Sequence, residues 1–392
     1  MCYAIPGKIS EINGRVITVD YFGQKKKARN DFFELSRGEY VYAQGGFVVS
    51  KISRKEAVKT LQTWKELFFK LQETDLRLTR EPKDLRSIAD SIRQKHQGNS
   101  CCIHAIIEFS NHCACGCLYC GLRAGNNNLE RYRMPVDEIV HAAAYAVNEL
   151  KFKALVLQAG EDNWYSQEKL IQIVSRIQKN SPALIILSIG ERRQSVYKKL
   201  YDAGARGALL RFETSNPGIY AKIKPHHKLE NRIGLINKLR KMGYLIMTGF
   251  LIGAPGQTPQ DILSDIKLTG DLGADMFSFG PFIPHSQTPL AGTPAPSIDK
   301  ALDTIARARI MNPKARILVT SALETLDKKE GLKNGLLSGG NSLMINVTPE
   351  KYRRLYDIYP DRADTCADIR VKINSCLNLL QSIGRAPTDL GL

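Results

Sequence analysis

The sequence has no run of roughly 18 or more uncharged apolar residues, the length that a helix needs to cross a bilayer. Its first residues, MCYAIPGKIS, also lack the charged-then-apolar order of a secretory signal. These two absences predict a protein without a membrane-spanning segment, and we expect it in the cytoplasm. A hydrophobic fraction of 43% with 24% charged residues is typical of a globular protein and excludes a wholly disordered or collagen-like chain.

Concentrated positive charge is also scarce, although 56 Lys and Arg against 39 Asp and Glu give a net charge of +17. The excess is spread along the chain, and its one compact basic triplet is Lys25-Lys26-Lys27. This distribution favours solvated surface charge over a nucleic-acid footprint.

Cysteine, in contrast, is concentrated in one place. Of nine cysteines, four lie in the segment CACGCLYC, from Cys113 to Cys120. This clustering is typical of a metal site and not of a disulfide framework. Cys113, Cys117 and Cys120 have the spacing C-x3-C-x2-C, which can ligate three irons of a [4Fe-4S] cluster and leave the fourth iron open. The alternative is structural zinc with Cys115 as a fourth thiolate, but the sequence has no second C-x2-C pair.

The first 75 residues are predicted to form a small, OB-like β-barrel followed by a helix at residues 54–72. Asn13-Gly14 between two alternating runs is a strong hairpin signal, and the helix has apolar residues at helical spacing. Residues 76–83, which are rich in charge, are the expected linker, and residues 84–392 the second domain. The amino-terminal strands are expected at residues 9–12, 15–21, 25–33 and 40–52.

From residue 103 onward, short apolar strands alternate with amphipathic helices. Eight such units predict an α/β fold with a parallel, TIM-type (βα)8 barrel. In such barrels the chemistry lies where the strands end, so we expect the functional residues just past each strand. The strands are expected at residues 103–109, 154–158, 183–189, 207–212, 245–252, 276–282, 315–320 and 342–347.

The segment IIEFSNHCACGCLYCGLR, with Tyr119 before its last cysteine, resembles the signature of radical S-adenosylmethionine (SAM) enzymes. Six further motifs resemble the [FeFe]-hydrogenase maturase HydE family in the same order, over roughly residues 84–390. The resemblance implies a [4Fe-4S] cluster on Cys113, Cys117 and Cys120, with Tyr119 as a cofactor contact. It also implies reductive cleavage of SAM to methionine and a 5′-deoxyadenosyl radical. The motifs are LERYRMP, VLQAGED, LRFETSN, LIGAPGQT, GPFIPHSQTPL and TPEKYRRLYDIYP.

The same resemblance implies which residues bind SAM. Glu161 would accept hydrogen bonds from the methionyl ammonium, and Arg232 would reach the SAM carboxylate. A helix-capping role for Glu161 and an exposed helical position for Arg232 are the structural alternatives. Glu213 would face SAM, Ser188 would lie near its adenosyl end, and Gly160 would let the backbone approach the cofactor.

A substrate site is expected beside the SAM site. Arg211 and Glu213 are two residues apart on a predicted strand, so they should share a face as an ionic pair; a structural salt bridge is the alternative. In the family an arginine and a Thr-Thr pair hold the carboxylate of a cysteine-derived ligand. In this chain Arg211 matches the arginine, and Thr320-Ser321 occupy the positions of the Thr-Thr pair. Met344 matches a family methionine that faces the reacting centre, although a core methionine is the alternative.

The chain departs from the HydE pattern at two places. Phe212 replaces the histidine usual between the arginine and the glutamate, and it should face the helices. Some members carry a second cluster on three carboxy-terminal cysteines, whereas this chain offers Cys366 and Cys376, so we expect no second cluster or a labile one. Cys101 and Cys102 are expected to be ordinary buried thiols.

The amino-terminal domain resembles the HypC family of [NiFe]-hydrogenase maturation chaperones over about residues 1–75, through MCYAIPGKI, VDYFG and GEYVYAQGGFVVSKISRKEA. In that family the cysteine after the initiator Met helps to bind an iron that carries cyanide and CO. Cys2 matches it, and a thiolate suits such iron. Gln44 replaces the family histidine, and an amide is a poor ligand. We expect this domain to dock a partner protein or to deliver iron. The alternative is that the small barrel has a purely structural role.

Together, the resemblances imply a radical SAM enzyme that processes a cysteine-ligated organometallic iron precursor, with CO and cyanide, in hydrogenase cofactor assembly. Expected partners are other hydrogenase maturation proteins and an electron donor such as ferredoxin or flavodoxin, with no membrane partner. An Fe(CO)(CN) species is expected at the amino-terminal domain. The alternatives are a radical SAM enzyme acting on a small organic substrate, as in biotin or methylornithine synthesis, an RNA-binding or RNA-modifying protein, and a non-catalytic iron carrier.

Overall fold

The computed structural model describes residues 4–363 and 368–390, so Cys2 and Cys366 lie outside the described residues. Five amino-terminal strands close into a barrel in the order β1-β2-β3-β5-β4. This arrangement confirms the predicted small β-barrel. Strands β1 to β5 span Gly7–Asn13, Val16–Tyr21, Gln24–Arg29, Tyr40–Gln44 and Phe47–Ile52.

Two of the predicted strands in this domain have different bounds in the structure. The strand expected at residues 40–52 is two strands, because Gly45 and Gly46 turn the chain between β4 and β5. Both glycines have positive φ, 59° and 77°, as a type I′ hairpin turn requires. The strand expected to reach residue 33 ends at Arg29, because Asn30 Oδ1 accepts a hydrogen bond from the Phe33 N–H (3.1 Å) and turns the chain.

Two helices, α1 (Arg54–Leu78) and α2 (Leu85–Gln97), follow the small barrel. Helix α1 ends six residues later than predicted and extends into the expected linker. The reason is Asp75, whose buried carboxylate pairs with Arg93 Nη1 (2.7 Å) and Arg385 Nε (2.9 Å). These ion pairs fasten the end of α1 to α2 and to the carboxy-terminal segment. The exact division between the two domains stays a prediction.

The second domain contains a parallel sheet of eight strands in the order β14-β12-β10-β9-β8-β7-β6-β15. A bridge between Leu318 and Ser342 joins its two outer strands, so the sheet is a nearly closed TIM-type barrel, as predicted. Strands β11 and β13 form a separate two-stranded sheet. Strands β6 to β15 span Cys102–Ser110, Ala154–Ala159, Leu184–Ser188, Gly207–Leu209, Leu245–Thr248, Leu251–Ile252, Met276–Phe277, Gly280–Pro281, Arg316–Ile317 and Ser342–Asn346.

Helices follow the barrel strands and cover the outside of the sheet, where their apolar side chains form the largest core cluster. None of the helices in the described part of the chain is long and apolar enough to cross a membrane. A π-helical turn, Tyr145–Glu149, continues the helix Val136–Ala144. Helices α3 to α13 span Val136–Ala144, Gln167–Asn180, Gln194–Asp202, Pro217–Ile223, Leu229–Lys241, Pro259–Asp271, Ile298–Met311, Ser321–Leu326, Gly331–Leu337, Glu350–Arg353 and Ile369–Ser382.

The small barrel lies against the amino-terminal end of the (βα)8 barrel. Its side chains Tyr42 and Phe47 share a buried cluster with residues inside the larger barrel. At the β4–β5 turn, a Cβ on Gly45 would lie 2.8 Å from Leu245 and 2.9 Å from Leu184, the first residues of β10 and β8. This contact closes the amino end, so the carboxyl ends of the strands are left for the functional site.

Candidate functional site

The cysteine loop directly follows β6, the first strand of the (βα)8 barrel. Cys113, Cys117 and Cys120 are half-buried and line one cavity of about 220 Å³ at the carboxyl ends of the strands. The loop is held in place by the chain after β7: the Ala114 N–H donates to the Glu161 carbonyl (3.0 Å), and the Glu161 N–H donates to Cys113 Sγ (3.3 Å).

The chemistry of this loop fits a metal cluster. Burial raises the pKa of Cys120 to about 12, so a thiolate at this position needs a nearby cation. Among residues 4–363 and 368–390, no three His, Cys, Asp or Glu side chains converge as ligands of a single ion. A [4Fe-4S] cluster does not need such convergence, because each thiolate binds a different iron. We therefore regard Cys113, Cys117 and Cys120 as the candidate cluster ligands.

All six residues predicted to bind the cofactor line this same cavity, which we call the SAM cavity. Five of them lie at or after the ends of barrel strands, as expected, and Arg232 reaches the cavity from helix α7. The individual roles of all six stay predictions. The six residues are Tyr119, Gly160, Glu161, Ser188, Glu213 and Arg232.

The charges of the SAM cavity form a network around Glu161. Its Oε1 lies 3.2 Å from Arg232 Nη2 and 3.5 Å from Lys224 Nζ, and Arg232 Nε lies 3.0 Å from Glu191 Oε1. Arg232 is only 4% exposed, and this excludes the alternative of an exposed helical arginine. Although burial opposes its charge, Glu161 and Glu191 hold the pKa of Arg232 above its usual range.

Sequence reasoning missed two members of this network. Glu191 comes just after β8, so the rule that functional residues follow barrel strands could have identified it. Lys224 follows the short helix α6 (Pro217–Ile223), and no signal in the sequence distinguished it from the surface lysines.

Gly160 is needed for a different contact from the one predicted. A Cβ at this position would lie 2.2 Å from the His112 carbonyl oxygen and 2.8 Å from Cys113 Cβ. The close approach that excludes a side chain is therefore to the cysteine loop. Gly160 still lines the SAM cavity, so a cofactor contact through its backbone stays a prediction.

Arg211 and Glu213 form the predicted ion pair, but strand alternation does not cause it. Arg211 Nη2 lies 3.1 Å from Glu213 Oε2, whereas β9 ends at Leu209. Glu213 has a φ of 68°, in the left-handed region, so the backbone turns at this position. Phe212 between them is fully buried and packs against Phe250, with ring centroids 6.2 Å apart.

A second cavity of about 150 Å³ contains the four predicted substrate residues, Arg211, Thr320, Ser321 and Met344. We call it the substrate cavity. Ser321 Oγ lies 2.9 Å from Tyr359 Oη, which sequence reasoning missed. Thr320 Oγ1 is buried and has no hydrogen-bond partner among the described residues.

The remaining six cysteines fall into three groups. Cys115 is buried and lines the SAM cavity. Cys101, Cys102 and Cys376 are buried and lie outside both cavities. Cys2 and Cys366 are outside the described residues, so the expected iron ligand and the expected lack of a stable second cluster stay predictions.

Comparison with known proteins identifies both domains. The Radical SAM superfamily model matches residues 107–269, and the HupF/HypC family model matches residues 1–64. The [FeFe] hydrogenase maturase subunit HydE of Thermotoga maritima is 40% identical over 303 residues, which cover 77% of this chain and 86% of that protein.

Solved structures show the same fold. The crystal structure of methylornithine synthase (PylB) matches with a TM-score of 0.67 at 23% sequence identity. The match covers 82% of this chain and 97% of the PylB chain. The structure of the FeFe-hydrogenase maturase HydG from Carboxydothermus hydrogenoformans matches with a TM-score of 0.65 at 19% sequence identity. This match covers 84% of this chain and 80% of the HydG chain. The identity to the Thermotoga protein decides the family: this chain is a radical SAM enzyme of the [FeFe]-hydrogenase maturase HydE family, with a HypC-like domain at its amino terminus.

Proposed function

We propose that this enzyme reductively cleaves SAM and acts on a cysteine-ligated organometallic iron precursor, bearing CO and cyanide, in hydrogenase cofactor assembly. The observation that carries the proposal is that the two cavities adjoin, since Gln158, Leu209, Arg211 and Ile358 line both. A molecule in the substrate cavity would therefore be next to one in the SAM cavity. When bound, the [4Fe-4S] cluster and SAM would supply an electron and a 5′-deoxyadenosyl radical.

Glu161, Arg232 and Lys224 are suited to bind the amino-acid end of SAM. The Glu161 carboxylate would accept from the ammonium group, and the two cations beside it would donate to the carboxylate. Each charge-assisted hydrogen bond of this kind contributes about 1.5–3 kcal/mol. Because Glu161 and Arg232 already pair with each other, they are held in place before the ligand arrives.

The substrate cavity is suited to a ligand that has a carboxylate at one end and a soft, polarizable atom at the other. The Arg211 guanidinium and the Thr320 and Ser321 hydroxyls are the donors for the carboxylate of a cysteine-derived ligand. The polarizable thioether of Met344 would face the rest of the ligand. The lack of a protein partner for Thr320 Oγ1 within the described residues supports a ligand at this position, because a buried hydroxyl left unpaired is costly.

For the HypC-like domain we propose iron delivery or docking of other hydrogenase maturation proteins, with Cys2 as the iron ligand. Gln44 is only 3% exposed at the closed end of the larger barrel. Its Oε1 has no hydrogen-bond partner within the described residues, so a donor group of a small ligand would find an acceptor there, whereas a docked protein would not reach so buried a side chain. The cytoplasm as compartment is part of the same proposal.

The test is anaerobic reconstitution of the full chain with iron and sulfide, followed by SAM, dithionite and candidate substrates. We expect the wild-type protein to form 5′-deoxyadenosine or its adduct with the iron substrate. Cys117→Ala should lose both the brown cluster absorbance and SAM cleavage. Cys115→Ala is the matched control and should keep both, because Cys115 is outside the C-x3-C-x2-C set.

Retained SAM cleavage by Cys117→Ala would refute the cluster assignment. Product analysis separates the substrate classes: turnover of an organic substrate, with none of the cysteine-ligated iron complex, would instead show a reaction like biotin or methylornithine synthesis.

A further inference from the structure

An exposed tryptophan lies on the loop between β7 and α4, directly after the residues that line the SAM cavity. The chain has two tryptophans; Trp64 is 3% exposed in the core, whereas Trp164 is 45% exposed. Two cations lie over the Trp164 ring: Arg133 Cζ is 5.5 Å and Lys169 Nζ 3.1 Å from its centroid. We call Arg133, Trp164, Lys169 and Arg192 the Trp164 patch.

The Trp164 patch is ordered before any partner binds. Arg192 donates to Asn163 Oδ1 (2.8 Å) and to the Asp162 carbonyl oxygen. Arg133 binds the buried Asp162 carboxylate through Nε (2.7 Å) and Nη2 (3.0 Å). The Trp164 and Tyr165 rings pack edge to face, with centroids 4.9 Å apart. A preordered surface loses little conformational entropy on binding.

The Trp164 patch has an excess of positive charge. Asp162 offsets the charge of Arg133, which leaves Lys169 and Arg192 as the free cations of the patch, and Arg193 is exposed beside Arg192. The exposed acid next to it in the chain is Glu168, which hydrogen-bonds to Gln167. Tryptophan and arginine are the side chains most enriched in the energetic centres of protein interfaces. A partner that fits this surface would be an acidic protein, because opposite potentials steer association.

The same loop is hydrogen-bonded to a candidate cluster ligand. Glu161, three residues before Trp164, donates its N–H to Cys113 Sγ (3.3 Å) and accepts from the Ala114 N–H (3.0 Å). A protein docked on the Trp164 patch would therefore touch the surface of a loop whose backbone contacts Cys113.

We infer that the Trp164 patch is the docking surface for an acidic protein that carries a single electron. The inference rests on the proposed function, since a cluster that reduces SAM must itself be reduced from outside. In the step, one electron leaves the reduced carrier and enters the oxidised cluster, and the carrier departs oxidised by one electron. No bond forms or breaks.

The experiment uses reduced and oxidised flavodoxin as the probe. Affinity for oxidised flavodoxin is measured by titration calorimetry at low and high salt. SAM cleavage is measured in parallel with flavodoxin hydroquinone and with dithionite, which needs no docking surface. The test variants are Trp164→Ala and Lys169→Glu. Lys333→Glu is the control, because Lys333 is an exposed lysine on α11, outside both cavities and the patch.

We expect each test variant to weaken flavodoxin binding about tenfold or more and to slow flavodoxin-driven cleavage similarly. Dithionite-driven cleavage should be unchanged, and Lys333→Glu should behave as wild type. Binding that does not weaken in the test variants, or an equal loss with both reductants, would overturn the inference. If the wild-type protein cleaves no SAM with dithionite, the proposed function fails, and the binding titration still decides the docking surface.

Discussion

Two clusters of buried polar groups, one at each end of the (βα)8 barrel, differ in how their members are paired. At the amino end, the largely buried Asp389 carboxylate lies 2.6 Å from Arg316 Nη2 and 3.0 Å from Cys102 Sγ. It also accepts from the Gly45 N–H of the small barrel. At the carboxyl end, Thr320 Oγ1 and Arg211 Nε are buried without a hydrogen-bond partner in the described part of the chain.

This difference separates groups that hold the protein together from groups that are available to a ligand. A buried charge that is fully paired stabilises one arrangement, and removing its partner is costly. A buried donor left unpaired costs free energy until a ligand satisfies it. We therefore interpret the Asp389 cluster as a structural junction between the domains and the carboxyl end as the candidate functional site, which is where TIM barrels generally have theirs.

The largest effect is expected from Asp389→Ala. This change leaves the Arg316 guanidinium buried without its carboxylate, so we expect the free energy of unfolding to fall by about 3–5 kcal/mol. Urea denaturation measures it. The exposed pair of Asp271 with Lys267 provides the control, since Asp271→Ala should cost under about 1 kcal/mol. Equal losses in the two variants would contradict the structural role of the amino end.

A pH effect at the same end should be nearly as large. Burial lowers the pKa of His104 from 6.5 to about 4, so the unfolded chain binds more protons than the folded one between these values. Stability should therefore fall by roughly 3 kcal/mol as the pH drops from about 6.5 to 4. Burial opposes the charge of Asp389, but Arg316 and hydrogen bonds hold its pKa below its usual range, so Asp389 stays charged in the window.

The pH dependence is checked by urea denaturation of the wild type and of His104→Asn. We expect the variant to be less stable at neutral pH but to lose much of the slope between pH 6.5 and 4. An unchanged slope would show that other groups cause the acid sensitivity.

A smaller effect is expected at the carboxyl end from Glu161→Gln. The substitution keeps the shape and removes the charge that would accept the SAM ammonium, so SAM affinity should fall about 10–100-fold. Calorimetric titration of the reconstituted protein with SAM measures this. Glu168→Gln, on the exposed start of α4, should leave the affinity unchanged. Equal affinities of wild type and Glu161→Gln would show that Glu161 does not bind the ammonium.

The smallest effect on stability is expected from Thr320→Val. Because Thr320 Oγ1 has no protein partner within the described residues, its replacement by a methyl group should change the free energy of unfolding by under about 1 kcal/mol. Binding of a carboxylate substrate should nevertheless weaken. The two quantities are measured on one sample by denaturation and by ligand titration. A large loss of stability would place Thr320 with the structural groups of the amino end.

The order of the strands and the position of the site could be predicted because both follow from local pattern. Alternating apolar strands and amphipathic helices specify a parallel barrel, and such a barrel has its site at the strand ends. The cysteine loop and Glu161 follow the first and second barrel strands, and the structure brings them together at one cavity.

Other features could not be predicted because they depend on contacts distant in sequence. Helix α1 continues to Leu78 because Asp75 pairs with Arg385, which lies 310 residues away. Lys224 joins the SAM cavity through the turn after α6 and not through a strand end. The left-handed backbone of Glu213, a non-glycine residue, has no sequence signature.

The central claim is that three thiolates, those of Cys113, Cys117 and Cys120, hold a [4Fe-4S] cluster with one iron free to bind SAM. Electron paramagnetic resonance of the reduced, reconstituted protein, recorded with and without SAM, tests it most directly. We expect a [4Fe-4S]⁺ signal whose g values shift when SAM is added. A protein that holds zinc without iron, or a cluster signal that SAM leaves unchanged, would contradict the claim.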